Sequence, residues 1–184
     1  MADGLWLTSW MRFITRSRLA PFVPTPHEVA TRMLTLGRLQ KGERLVDLGS
    51  GDGRLLRAAV IEFGAARADG FELDRTLVDI ARREATALGD EHASKIVTHH
   101  CDAHEAELSL RTADVVTLYL SDRGNASVLP MLRQSLRPHA RVVSFAWVMP
   151  EGVHPSRSAR LPRSMLQVHL YEGLGLSGVD VGEK

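Results

Sequence analysis

The stretch Leu45-Val46-Asp47-Leu48-Gly49-Ser50-Gly51-Asp52-Gly53-Arg54 decides how this chain is read. It passes from a short apolar strand, through an acid, into three alternating glycines and a helix start. Glycine takes backbone angles that other residues avoid, and it lets a ligand approach the main chain. A strand that enters a helix through such a turn is expected to present free backbone N–H groups at one point, which is a nucleotide-type cofactor site. The register narrows the choice of cofactor. A dinucleotide fingerprint runs GxGxxG; in this chain Arg54 stands where the third glycine belongs. A phosphate-cradling GxxxxGK[ST] loop is excluded, because no lysine follows. The plain alternative, a tight turn with no ligand, leaves three alternating glycines and a preceding acid unexplained.

Asp47 sits at the strand's end, where a carboxylate would repel a pyrophosphate. It favours a cation, such as the sulfonium and α-amino group of S-adenosylmethionine. The loop expected to hold that cofactor is Asp47, Gly49, Ser50, Gly51, Asp52 and Gly53.

Downstream, strands and helices alternate. Arg54 to Phe63 reads as a helix ending at Gly64, and Arg67 to Leu73 as a strand ending in Glu72-Leu73-Asp74. Glu72 lies about twenty residues past the glycines, where a nucleotide-binding α/β fold places a carboxylate on the ribose hydroxyls. Leu73 adjoins it. Asp74 reads as the N-cap of the next helix, with Leu77, Ile80, Ala81, Ala85 and Leu88 inward. A third strand, Lys95 to Cys101, ends at Asp102-Ala103, the expected adenine side. Ala113 to Leu120 is nearly all apolar, as in a central strand buried on both faces, and its end carries Tyr119. Pro130 is unsuited to a helix interior, so a helix is expected from about Leu129 to Arg137, followed by a strand Val142 to Met149. A proline- and arginine-bearing loop then leads to a closing strand, Leu166 to Tyr171. This order predicts an α/β fold: a doubly wound, mostly parallel sheet, Rossmann-like, with helices on both faces. Ligands of such sheets bind at the strands' C-terminal ends, where all of these candidates lie.

The cluster His99, His100, Cys101, Asp102 and His104 invites a metal reading, but strand alternation turns His100 away from its neighbours. Zinc sites show two well-spaced ligand pairs, and no second pair exists, so no metal is expected. Before the domain, Ala20 to Pro26 is a stiff extended connector. Thr25, Pro26 and Glu28 read as a helix start with a capping threonine.

The 184 residues carry a net charge of +1 and one cysteine, Cys101. That excludes a disulfide framework, suits a reducing compartment, and demands no nucleic acid. The reading divides the chain into an amphipathic segment 1–20, a domain 21–173 and a glycine-rich tail 174–184 expected to be disordered. No run approaches the ~20 apolar residues that span a bilayer. A cytoplasmic location is expected. The segment holding Trp6, Trp10, Phe13, Arg12, Arg16 and Arg18 is expected to be a helix folded onto the domain and capping its cofactor cleft, with two alternatives open, a mitochondrial presequence or an interfacial helix in peripheral contact with a membrane. The oligomeric state is left open.

DxGxGxG over Asp47 to Gly53 resembles the first motif of class I S-adenosylmethionine-dependent methyltransferases. More specifically, Phe22-Val23-Pro24-Thr25-Pro26, VDLGSGDGR, GFELD, DVVTLYL and RVVSF resemble, in order and spacing, one family over about residues 21 to 150. It is the small archaeal protein lysine methyltransferases and their mitochondrial relatives, which act on ATP synthase c-subunit or adenine nucleotide translocase. The resemblance implies that the proline segment and the end of strand four border the methyl-transfer site, pointing to Pro24, Thr25, Tyr119 and Leu120. Tyr119 and Thr25 become the acceptor-side candidates, and a lysine-bearing protein the expected partner. A membrane-anchoring segment like that of the mitochondrial relatives is not expected in this sequence, so the resemblance does not carry over their particular substrates. Two other readings stay open: a methyltransferase of small molecules or RNA, with Arg157 to Arg163 holding phosphate, and a non-catalytic cofactor-binding module. An [ND]PP[YFW] segment, usual for nucleobase amines, is absent after strand four.

Overall fold

A computed structural model describes residues 25–162 and 164–175. The expected segment 1–20, Phe22 to Pro24 and most of the tail lie outside the described residues. Helix α1 (His27–Leu36) precedes β1 (Arg44–Leu48), α2 (Arg54–Ile61), β2 (Arg67–Glu72) and α3 (Arg75–Thr86). A short α4 (Asp90–Ala93), β3 (Ile96–His100), a 3-10 turn at Ala103–Glu105 and a short α5 (Glu107–Leu110) follow. The domain ends with β4 (Val115–Leu118), α6 (Asp122–Ser135), β5 (Arg141–Phe145), β6 (Arg157–Arg160) and β7 (Gln167–Glu172).

The strands form one sheet in the order β3-β2-β1-β4-β5-β7-β6. β1 to β5 run parallel, while β7 lies antiparallel between β5 and β6. The expected doubly wound sheet is therefore present. Successive side chains of a strand face opposite ways, so each central strand feeds two cores. Leu45, Val115 and Val143 join Val29, Met33 and Leu34 of α1 and Leu56 of α2 on one face. Val46, Val116 and Val142 join Val128, Leu132 and Leu136 from the α6 region on the other. The order reverses between β1 and β4, and the glycine loop leaves β1 at that switch point, where such sheets bind ligands.

Several element boundaries differ from expectation, each for a physical reason. α6 starts at Asp122, seven residues before the expected Leu129, and runs through Pro130. Ser121 caps it, its Oγ accepting from Gly124 N at 3.1 Å, and the buried face of Val128, Leu129 and Leu132 outweighs one lost N–H bond. Thr25 is not the N-cap of α1; Pro26 is, with no side-chain bond, and its carbonyl accepts from Val29 N and Ala30 N. The buried face of α3 is Val78, Ala81 and Ala85, with Leu77 and Ile80 only half-buried. β5 stops at Phe145, not Met149. β6, expected as loop, is an exposed edge strand whose polar sequence RSAR shows no apolar alternation. Asp74 does cap α3, accepting from Thr76 N at 2.9 Å. Leu174 packs against the second core.

Candidate active site at the carboxyl edge of the sheet

Gly49, Gly51 and Gly53 all take positive φ, at 80°, 56° and 74°, conformations that an L side chain adopts only with strain. Space is as restrictive as angle. A Cβ on Gly53 would stand 2.9 Å from Ala81 Cβ of α3, and one on Gly49 2.8 Å from Leu120 Cδ2. The loop is thereby pressed between α3 and the end of β4.

Four of the loop's N–H groups, expected to be free, have partners within the chain. Gly49 N and Ser50 N both donate to Phe71 O, at 2.9 and 3.1 Å, and Gly53 N donates to Ser50 O at 3.0 Å. Gly51 N donates to Glu72 Oε2 at 2.9 Å. These donors are taken by the end of β2 and by the loop itself: the ladder's last pair is Leu48 with Phe71, and the loop folds back onto that residue's carbonyl. A pyrophosphate would find little to hold it; the cleft offers carboxylates.

Asp47 is 3% exposed and accepts from Thr117 Oγ1 of β4 at 2.7 Å. Burial pushes its carboxyl up to about 7; the Thr117 bond acts against this, and the charges of Glu72 and Asp52 add to it. Thr117, fully buried, is a site residue that the motifs do not point to. Its signal is a lone hydroxyl in the apolar run Val115–Leu118, in register with Asp47.

Asp52 is different. Burial pushes its carboxyl up, but hydrogen bonds and charge from Arg54, with Arg57's charge, hold it below the usual carboxylate range. Arg54 Nε and a terminal nitrogen both donate to that carboxylate. Its other terminal nitrogen donates to Thr25 O at 2.8 Å. In the motif Arg54 is only a missing glycine; in the fold it is the crossbar that brings buried Thr25 to the glycine loop.

Glu72 is half-buried and braces two backbone groups, Gly51 N and Asp74 N, the latter on Oε1 at 2.8 Å. Leu73 beside it is 47% exposed, an apolar surface at the strand's end. Asp102 caps the turn of Ala103–Glu105 in a capping box with Glu105. Its Oδ1 accepts from His104 N at 2.9 Å and meets His104 Nδ1 at 2.6 Å. Ala103 is buried. The histidines go separate ways: His99 stacks on Phe71 with ring centres 4.6 Å apart and reaches Asp69 at 3.3 Å, while His104 pairs with Asp102. No three His, Cys, Asp or Glu side chains converge on a metal position among the described residues.

Tyr119 follows β4, half-buried, its ring centre 4.7 Å from that of Phe145 at 57°. Burial pushes its hydroxyl pKa up, so it stays protonated and can donate as well as accept. Beyond it lie buried Leu120 and Ser121, then exposed Asp122 and Arg123.

The residues fit S-adenosylmethionine. The N–H groups of Gly49, Ser50, Gly51 and Gly53 are engaged, which disfavours a phosphate, and the charge in the cleft comes from carboxylates matched to a cation. Sheet order, switch-point loop and acidic cleft define a class I S-adenosylmethionine-dependent methyltransferase. Comparison with solved structures agrees. An RNA methyltransferase from Salinibacter ruber, crystallised with S-adenosyl-L-homocysteine, superposes with a TM-score of 0.76 at 36% identity, covering 88% of this chain and 100% of that one. A family model described as the ANTKMT methyltransferase domain matches residues 47–157, and the chain belongs to that family. A protein-lysine N-methyltransferase of Saccharolobus islandicus is 33% identical over 124 residues, 67% of this chain and 74% of that protein. The adenine nucleotide translocase lysine N-methyltransferase of Mus musculus is 34% identical over 134 residues, 71% of this chain and 54% of that protein. Among the described residues no helix is long and apolar enough to cross a membrane.

Proposed function

We propose that this enzyme methylates the ε-amine of a lysine in a protein substrate. The observation that carries this reading is the charge at the carboxyl edge. Glu72, Asp74 and Asp102 stand at the strand ends there; of the nearby cations Arg54 is committed to Asp52 and Arg75 to Asp79, while Arg123 offsets its neighbour Asp122. Such an edge attracts an ammonium and repels a polyphosphate backbone. The names of the two lysine methyltransferase relatives support the same reading.

When bound, S-adenosylmethionine supplies an electrophilic sulfonium methyl, so the protein's task is alignment and proximity. In our reading Glu72 takes the ribose hydroxyls, Asp47 faces the cationic end, and Asp102 with Ala103 borders the adenine. Gly49, Ser50, Gly51, Asp52, Gly53 and Leu73 complete the cofactor side. Tyr119 and Thr25 stand on the acceptor side. An unperturbed lysine has a pKa near ~10.4. Half-dry surroundings made by Tyr119, Leu120 and Phe145 lower that value by desolvation, which yields the neutral amine. The Tyr119 hydroxyl orients it by hydrogen bond, and no side chain is assigned as general base. A cytoplasmic location and a protein partner are part of the same proposal.

The second reading, RNA as acceptor, is favoured by one observation: the description of the 36%-identical Salinibacter ruber structure as an RNA methyltransferase. Incubation of a lysate with tritiated S-adenosylmethionine separates the two. Label in protein, mapped to lysine, is the expected result. Label that survives protease and disappears with ribonuclease would overturn it.

A further inference from the structure

β5 ends in an unusual turn. Ala146 takes φ +66°, and Trp147 N donates across it to Phe145 O at 2.8 Å. A γ-turn whose central residue has positive φ is the rare, strained kind, and Ala146 carries a Cβ into that region. Three buried polar side chains from three elements hold the turn. Ser144 Oγ of β5 donates to Trp147 O at 2.7 Å. Asn125 Nδ2 of α6 donates to Trp147 O at 3.0 Å and to Val148 O at 3.2 Å. Tyr171 Oη of β7 accepts from Met149 N at 2.9 Å. Ser144 and Asn125 are fully buried and Tyr171 is 1% exposed.

Most connecting loops are surface segments with few such constraints. Strained backbone persists only where its surroundings over-determine it, and it clusters at functional sites. This turn lies at one. β4 and β5 are parallel neighbours, so their ends open on the same edge, and Phe145 is the ring packed on Tyr119. Val148 is 51% exposed and Trp147 half-buried; neither belongs to the two cores. They form apolar surface beside the site.

We propose that the turn Phe145–Met149 is the wall that positions the methyl acceptor against Tyr119, and that Asn125 is the positioning residue that fixes the wall. The class of acceptor rests on the proposed lysine substrate, since Trp147 and Val148 suit a long aliphatic stem; the wall itself does not rest on it. Asn125 works through the main chain, by holding the carbonyls of Trp147 and Val148.

The test uses Asn125→Ala and Ser144→Ala in the full chain. Each removes one side-chain anchor of the turn and leaves the cofactor-side residues untouched. Initial rates of label transfer from tritiated S-adenosylmethionine, measured against increasing lysate protein, give the half-saturation for the acceptor. Calorimetry with S-adenosyl-L-homocysteine gives cofactor affinity. Both variants are expected to raise acceptor half-saturation on the order of tenfold while cofactor Kd stays at the wild-type value. Circular dichroism of both variants should match wild type. Unchanged acceptor half-saturation in both variants would overturn the proposal, as would a rise in cofactor Kd in step with it. If wild type labels RNA instead of lysine, the lysine reading falls. The same two measurements on RNA then decide the wall.

Discussion

Two left-handed turns stand at the same edge of the sheet and are made by opposite means. After β1, the backbone turns at Gly49, Gly51 and Gly53, three residues that accept positive φ without strain. After β5, it turns at Ala146, which does not, and the conformation is imposed by Ser144, Asn125 and Tyr171 from elsewhere in the chain. The first turn is permitted by its own residues and braced by the end of β2. The second is a property of the assembled fold alone. A permitted shape costs its residues no strain, whereas an imposed one is strained and depends on every distant anchor.

The largest expected effect tests how far the first turn is self-sufficient. Glu72→Ala strands the N–H groups of Gly51 and Asp74, each in a hydrogen bond to a carboxylate worth about 1.5–3 kcal/mol. Cofactor affinity measured by calorimetry should fall by about 100-fold or more. Normal binding in this variant would show that the glycines alone shape the loop. Gly53→Ala should come next. It combines a left-handed alanine, costing roughly 1–2 kcal/mol, with a contact at 2.9 Å on Ala81, so denaturant unfolding should show a loss of about 2–4 kcal/mol. A variant as stable as wild type would mean that Ala81 and the loop are not in close contact.

A pH dependence sharpens the contrast further. Asp47 has a folded pKa of about 7, raised chiefly by burial. A raised carboxylate pKa means that the folded state holds its proton longer than the unfolded state. Stability from this group is complete below about pH 4 and is lost as pH rises to about 7, with a slope of up to ~1.4 kcal/mol per pH unit. Asp47→Asn should flatten that slope between about pH 4 and 7 and weaken cofactor binding at pH 8, where the wild-type carboxylate is charged. A slope unchanged by the substitution would assign the dependence to other groups. The smallest effect belongs to the acceptor side. Tyr119→Phe should leave cofactor Kd unchanged and slow transfer by about tenfold or less, the worth of one hydrogen bond; equal rates would remove the hydroxyl from the proposed reaction.

The same contrast governs what can be read from the sequence. The glycine loop, the acid before it, Glu72 and the capping Asp74 announce themselves because residue type and local spacing determine their conformation. Ala146-Trp147-Val148-Met149 reads as four more residues of strand, since nothing local distinguishes Ala146 from its neighbours. Its turn comes from hydrogen bonds across 3 to 23 residues of sequence. Pro130 misleads in the other direction, because capping by Ser121 and the core face of α6 override a local preference. Arg54 is legible only as an absent glycine; its bond to Thr25 spans 29 residues. Thr117 is legible after all, as the lone polar residue of an apolar strand beside Asp47.

Tyr171, on the final strand, completes the anchoring of Met149. Every residue proposed to grip the cofactor precedes Leu120, so a growing polypeptide has that half in hand some fifty residues before Tyr171 is added. Occupancy and turnover should therefore answer to different substitutions: Tyr171→Phe leaves every cofactor-side residue in place and releases only the Met149 end of the wall.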